Sequence, residues 1–192
     1  MMTAVATDRP CSAFEVSDVD PPPAVGPLVA VLGQLAELIE SLSAEQYTRK
    51  PVGVVPSSVG GHIRHNLDHI QTLLDGLARG ELNYDDRRRG TDIEADRGAA
   101  VEAINYIYLR LRNSPWPAGD ETFRLTQLVA PDAPPVTVWS TLDRELAFVL
   151  SHTIHHNALI GTMARLMGVT LPPELGYAPS TLAHRRARPC VR

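Results

Sequence analysis

Ser-Ser-Val-Gly-Gly-His-Ile-Arg-His-Asn-Leu-Asp-His, residues 57–69, carries two signals at once. Ile63 and Leu67 open an apolar series continued by Ile70, Leu74 and Leu77, the spacing of one face of an α-helix. Pro56 followed by Ser57 and Ser58 marks where that helix begins, and Gly80 after Arg79 marks where it stops. The same helix carries His62, His65 and His69, which at 100° per residue share less than about a third of its circumference. A second window, Leu-Ser-His-Thr-Ile-His-His-Asn at 150–157, repeats the arrangement with His152, His155 and His156. Six of the seven histidines therefore fall on two helical stripes, which singles these helices out as the seat of any chemistry.

Working outward, three further helical periodicities appear. The first spans about Val25 to Leu42, with Leu28, Val31, Leu32, Leu35 and Leu38 in one stripe, and Ser43 with Gln46 gives a short capped turn after it. Another starts at Thr91, where Glu94 completes a capping-box pattern, and ends at Asn113-Ser114-Pro115; Ile93, Val101, Ile104, Ile107, Tyr108 and Leu111 form its apolar side. The helix of the second histidine window starts near Ser140, with Asp143 placed to answer the cap, and ends at Gly168. Between these two, Phe123, Leu125 and Gln127, then Val136 and Val138, alternate with polar neighbours on either side of a proline-rich turn, the pattern of a small β-hairpin. The expected fold is all-α: a four-helix bundle over residues 25–170 with a β-hairpin inserted before the last long helix. Residues 1–24 and 171–192 read as a flexible N-terminal tail and an extended C-terminal tail.

The composition agrees with one globular domain: 192 residues, of which 44% are hydrophobic and 21% charged. A net charge of −4 argues against general nucleic-acid binding, which needs surplus Lys and Arg to displace counterions. The longest uncharged stretch, Leu146 to Ala164, has three histidines in its middle and is short of a membrane span. The first twenty residues have no apolar core of a secretory signal, so the cytoplasm is the expected location. Cys11 and Cys190 sit in opposite tails with no metal-knuckle spacing and read as incidental.

His152 and His156, four residues apart, project from successive turns of one face, the spacing by which two imidazoles hold one metal. A third imidazole from a facing helix would leave an open coordination position, the style of a catalytic site. Nitrogen ligands without thiolate suit Zn, Ni, Fe or Cu. The alternative for each histidine is a hydrogen-bonded core residue. Against that stands the apolar character of residues 145–160 on most sides, which predicts a buried helix whose histidines need partners. On the other helix, His62 and His69 lie nearer the edge of the apolar stripe and His65 further round, so spacing does not choose its ligand. No glutamate precedes a histidine by three residues, which excludes a ferritin-like di-iron site. Thr153 follows His152 where a zincin has its glutamate, so a general base must come from elsewhere. Glu145, seven residues before His152 on the same face, is the nearest candidate; it reads equally as a charge partner of Arg144 or an anchor at the core edge.

Ser-Ser-Val-Gly-Gly-His-Ile-Arg-His at 57–65 and Leu-Ser-His-Thr-Ile-His-His at 150–156 resemble the DinB/YfiT-like family of metalloenzymes, over most of residues 25–170. The resemblance implies one divalent metal held by three histidines at one end of a four-helix bundle, matched residue by residue to His65, His152 and His156. Relatives include S-transferases and isomerases that use mycothiol or bacillithiol, and the metal-binding domain of ergothioneine-forming sulfoxide synthases. By that resemblance the metal, Zn, Ni or Fe, activates a low-molecular-weight thiol or water against a small-molecule substrate, and the chain forms a homodimer. A non-catalytic metal- or ligand-binding bundle is the alternative. Three extra histidines and the hairpin depart from the family pattern. So does Asn83-Tyr84-Asp85-Asp86-Arg87-Arg88-Arg89, which reads as a solvated loop or as an arginine clamp for a carboxylate. Gly176 to Ser180 is a second segment placed to cover the site.

Overall fold

A computed structural model describes residues 20–50, 55–86 and 90–187. The bundle consists of α1 (Val25–Ser41), α3 (Val59–Leu77), α4 (Arg97–Asn113) and α5 (Leu142–Leu166), with a short α2 (Ala44–Thr48) after the first. Helix α3 packs on α4 and α5, and α1 packs on the same two, so α1 and α3 stand diagonally across the bundle. Leu28, Leu32, Leu35, Leu38, Ile63, Ile70, Ile107 and Leu146 lie in the core between them.

Local chemistry explains most boundaries. Ser43 and Gln46 form the expected capping box of α2. Ser58 caps α3, its Oγ accepting from Gly61 N at 3.1 Å. Gly168, with φ of 78°, takes the left-handed turn that ends α5. The expected cap at Thr91 is not made. Residues Asp92–Glu94 form a single 3₁₀ turn, and Asp96 caps α4 instead by accepting from Gly98 N at 2.7 Å. Glu94 has left the box for other partners: Gly90 N at 3.1 Å and the Arg64 guanidinium at 2.7 Å.

The β-hairpin is present as β2 (Thr122–Gln127) and β3 (Val136–Thr141), with Phe123 and Leu125 turned into the core. It belongs to a three-stranded sheet, because β1 (Glu81–Asn83), directly after α3, pairs parallel to β2 with Leu82 opposite Leu125. Gly76 makes room for this strand; a Cβ there would stand 2.2 Å from the Leu82 side chain. Strand β3 runs straight into α5, and Thr141 is both its last residue and the helix cap. The C-terminal segment is not extended throughout: Pro179–Ala187 is helical (α6), joined to the turn before it by Arg186–Glu174 and by Arg185 over the Tyr177 ring. Helix α5 is not buried all round either, since Asp143, Arg144, Ala147, Ser151 and His155 form an exposed strip. Among the described residues no helix is long and apolar enough to cross a membrane. Cys11, Cys190 and Arg87 to Arg89 lie outside the described residues.

Candidate metal centre

The glycine pair before the first histidine positions the start of α3. A Cβ on Gly60 would meet the Glu94 carbonyl at 2.3 Å and the Tyr47 ring at 2.5 Å, so only glycine lets the helix seat against the 3₁₀ turn. Tyr47 fastens that turn by donating its hydroxyl to Ile93 O at 2.6 Å. From this base the histidines of α3 meet those of α5 in antiparallel order: His62 beside His156, His65 beside His152 and His156, and His69 beside His152.

Ligand atoms of His65, His69 and His152 all lie within 4.8 Å of one another. The Nε2 atoms of His65 and His152 face each other at 3.2 Å. Two nitrogens on one tetrahedral zinc stand about 3.3 Å apart, from a Zn–N length of about 2.05 Å, so this pair fits a shared ion. His69 Nδ1 lies 2.9 Å from the His65 backbone carbonyl, to which it can only donate. That contact selects the tautomer with its lone pair on Nε2, the orienting arrangement found behind metal-bound imidazoles. Donor chemistry, spacing and tautomer all suit a divalent ion.

The structure brings His65 and His152 together, with His69 as the third member of the geometric trio. His156, the third histidine implied by the resemblance, lies one turn along α5 with its ring 4.6 Å from His65 and 4.5 Å from His152, and its Nδ1 is 3.3 Å from His62 Nδ1. His69 and His156 are buried, His62, His65 and His152 half-buried, and His155 exposed. Burial, followed by the neighbouring His155, lowers the His62 pKa from its ordinary 6.5. His62 Nε2 is buried with no hydrogen-bond partner among the described residues.

Glu145 is 0% exposed, and both its oxygens are engaged. Tyr84 donates its hydroxyl to Oε2 at 2.7 Å, while Ser140 Oγ at 2.5 Å and Arg144 Nη1 at 2.7 Å donate to Oε1. The pairing with Arg144 is therefore made, and Glu145 is joined to the histidines through Tyr84, whose ring stacks on His69 with centroids 5.3 Å apart and planes 10° from parallel. Burial, then the Glu145 charge and hydrogen bond, push the Tyr84 pKa far up, which keeps the phenol a donor. Phe148 closes this end, tilted against Tyr84, His69 and His152, with the Arg144 guanidinium 5.2 Å from its ring centre.

Tyr84 was not legible as a site residue. It stands in the charged segment read above for its arginines, and Leu82 and Tyr84 alternate with Glu81, Asn83 and Asp85 over too short a run to mark a strand. Asn83 and Asp86 line a polar cleft of about 410 Å³ with Asp75 and Arg79, which is where the charged segment read as a solvated loop or a clamp begins. Gly176 seats against Ala158 of α5, three residues beyond His155.

Comparison with known proteins bears on both fold and site. A protein of Rhizopus delemar named FK506-binding protein 5 is 36% identical over 104 residues, which is 54% of this chain and 27% of that one. The chain thus spans about a quarter of that relative's length. The crystal structure of a DinB-like protein from Bacillus subtilis superposes with a TM-score of 0.53 at 20% identity, covering 79% of this chain and 96% of the other, a likeness of fold. The family model described as the DinB superfamily matches residues 28–160, taking in most of α1, both histidine-bearing windows and the sheet between them. With the bundle, the sheet insert and the facing histidine stripes in place, that match over most of the chain settles its kinship: the protein belongs to the DinB superfamily.

Proposed function

We propose that this protein is a metal-dependent enzyme in which His65 and His152 hold one divalent ion, with His69 and His156 flanking them. The observation that carries the reading is the 3.2 Å approach of the two Nε2 atoms, with a third imidazole nitrogen within 4.8 Å. Such an ion, Zn, Ni or Fe, supplies Lewis acidity that turns a low-molecular-weight thiol into thiolate, or water into hydroxide, near neutral pH. The protein's part is to hold the imidazoles oriented. The His65 carbonyl fixes the His69 tautomer, and Phe148 and Tyr84 exclude water from one side. The half-buried edges of His65 and His152 leave the other side to a small-molecule substrate. Transfer of the thiol to an electrophile, or hydrolysis, is the reaction this arrangement serves. Glu145 acts as an anchor within it, because a fully buried carboxylate with three donors is poorly placed to take a proton from substrate.

The test is elemental analysis of untagged protein, followed by turnover assays with thiols and electrophiles. Metal bound in the wild type and lost in His65→Ala and His152→Ala, together with metal-dependent turnover, supports the enzyme. Equal turnover by metal-free protein overturns it. A second reading, a non-catalytic metal-binding bundle, is favoured by the closeness of His156 to both central histidines, which offers a fourth nitrogen. Spectroscopy showing an exchangeable water on the metal decides against that closed site.

A further inference from the structure

We infer that Tyr84 and Glu145 form a positioning unit that sets the plane of the His69 imidazole, and that the metal centre depends on it; the inference rests on the metal-centre reading above. The starting point is an energetic oddity. A carboxylate with no exposed surface, flanked in sequence by the buried Leu142, Leu146 and Val149, is costly to desolvate, and an apolar residue of similar size is often as stable in such a place. Three donors are spent on keeping it. Of these Tyr84 is the one whose own ring lies on a histidine, whereas Arg144 reaches them through Phe148. Its hydroxyl is pinned by Glu145 and its ring lies flat against His69.

His69, whose ring also stacks on His152 at 4.0 Å, is thereby held by two further contacts. Its Nδ1–H contact with the His65 carbonyl fixes the ring's rotation, and the stacked phenol fixes its plane. Helix α3 supplies the imidazole, β1 delivers Tyr84 just beyond its last residue, and α5 supplies the carboxylate. The parallel strand absent from the sequence reading is thus what brings Tyr84 to the site. Partners of this kind, one step behind a metal ligand, alter metal affinity by about 10–100-fold.

The experiment uses the full chain titrated with Co(II), whose visible absorption reports ligand geometry. Tyr84→Phe removes only the hydroxyl, Glu145→Gln keeps an acceptor without the charge, and Tyr84→Leu removes the stacked ring. Tyr108→Phe is the control, since it deletes a hydroxyl on α4 that accepts from Arg112, away from the histidines. The expected result is a Co(II) affinity about tenfold lower with altered absorption bands in Tyr84→Phe, a larger loss in Tyr84→Leu, and wild-type bands in Tyr108→Phe. Should Glu145→Gln fail to fold, Tyr84→Phe still decides. Wild-type affinity and bands in Tyr84→Phe overturn the inference while leaving the metal centre standing. No Co(II) binding by the wild type overturns both.

Discussion

The Nε2 atoms of His65 and His152 approach to 3.2 Å across the interface of α3 and α5, although 87 residues separate them along the chain. Two ring nitrogens at this distance share either one proton or one metal ion, and His69 beside them offers a third donor that a single proton does not need.

Metal binding should therefore fall away completely in His65→Ala and His152→Ala, while His69→Ala and His156→Ala each weaken it. Elemental analysis after dialysis checks this, the expected wild-type content being about one ion per chain. A flanking variant that binds as the wild type does lies outside the coordination.

Removing the ion should lower the melting temperature without unfolding the bundle, whose apolar core does not include the histidines. At a free metal concentration about 100 times Kd, binding contributes about 2.7 kcal/mol, or roughly 5–10 °C for a chain of this size. Scanning calorimetry with and without chelator measures the shift.

Gly60→Ala should cost about 1–3 kcal/mol, since its methyl would press into the Glu94 carbonyl and the Tyr47 ring. Gly33→Ala, on an exposed face of α1 with nothing within 4 Å, should instead stabilise by about 0.5–1 kcal/mol. Opposite shifts in urea midpoint would be the signature.

Alkaline titration should separate the tyrosines. Burial, then the charges of Asp96 and Glu94, raise the Tyr47 pKa well above its ordinary 10.0, while Arg185 lowers that of Tyr177. A phenol that holds its proton more tightly when folded contributes stability fully present below pH 10, because the unfolded chain loses that proton first. This contribution declines as pH climbs beyond 10. Tyrosinate absorbance should thus show Tyr177 ionising early and Tyr47 only as the protein unfolds, and Tyr47→Phe should flatten the alkaline loss of stability.

Helix ends that depend on neighbours in sequence were readable: the Ser43–Gln46 box, the Ser58 cap and the Gly168 turn all stand where local rules put them. Features that depend on distant partners were not. Thr91 loses its capping box because Glu94 is claimed by Arg64 from α3. Strand β1 has three residues, and its partner lies 43 positions further on. Helix α6 has no buried residue and draws on Glu174 and Tyr177 outside it. At the site, spacing found the two stripes but placed His65 away from the apolar face. Helix α3 is covered by α4 on one side and α5 on another, so its buried arc is wider than the stripe of Ile63 and Leu67. Tyr84 escaped because it joins the cluster through tertiary stacking, which no periodicity records.

The diagonal placement of α1 and α3 also has a bearing on the order of events during synthesis. Neither helix completes its packing until α4 and α5 have been made, and the histidines of α3 wait for a partner that leaves the ribosome 87 residues later. Such long-range closure is slow compared with helix formation. An ion held between these two helices would therefore be acquired late, by a chain already collapsed around its leucines, and would certify that the last long helix has docked in register.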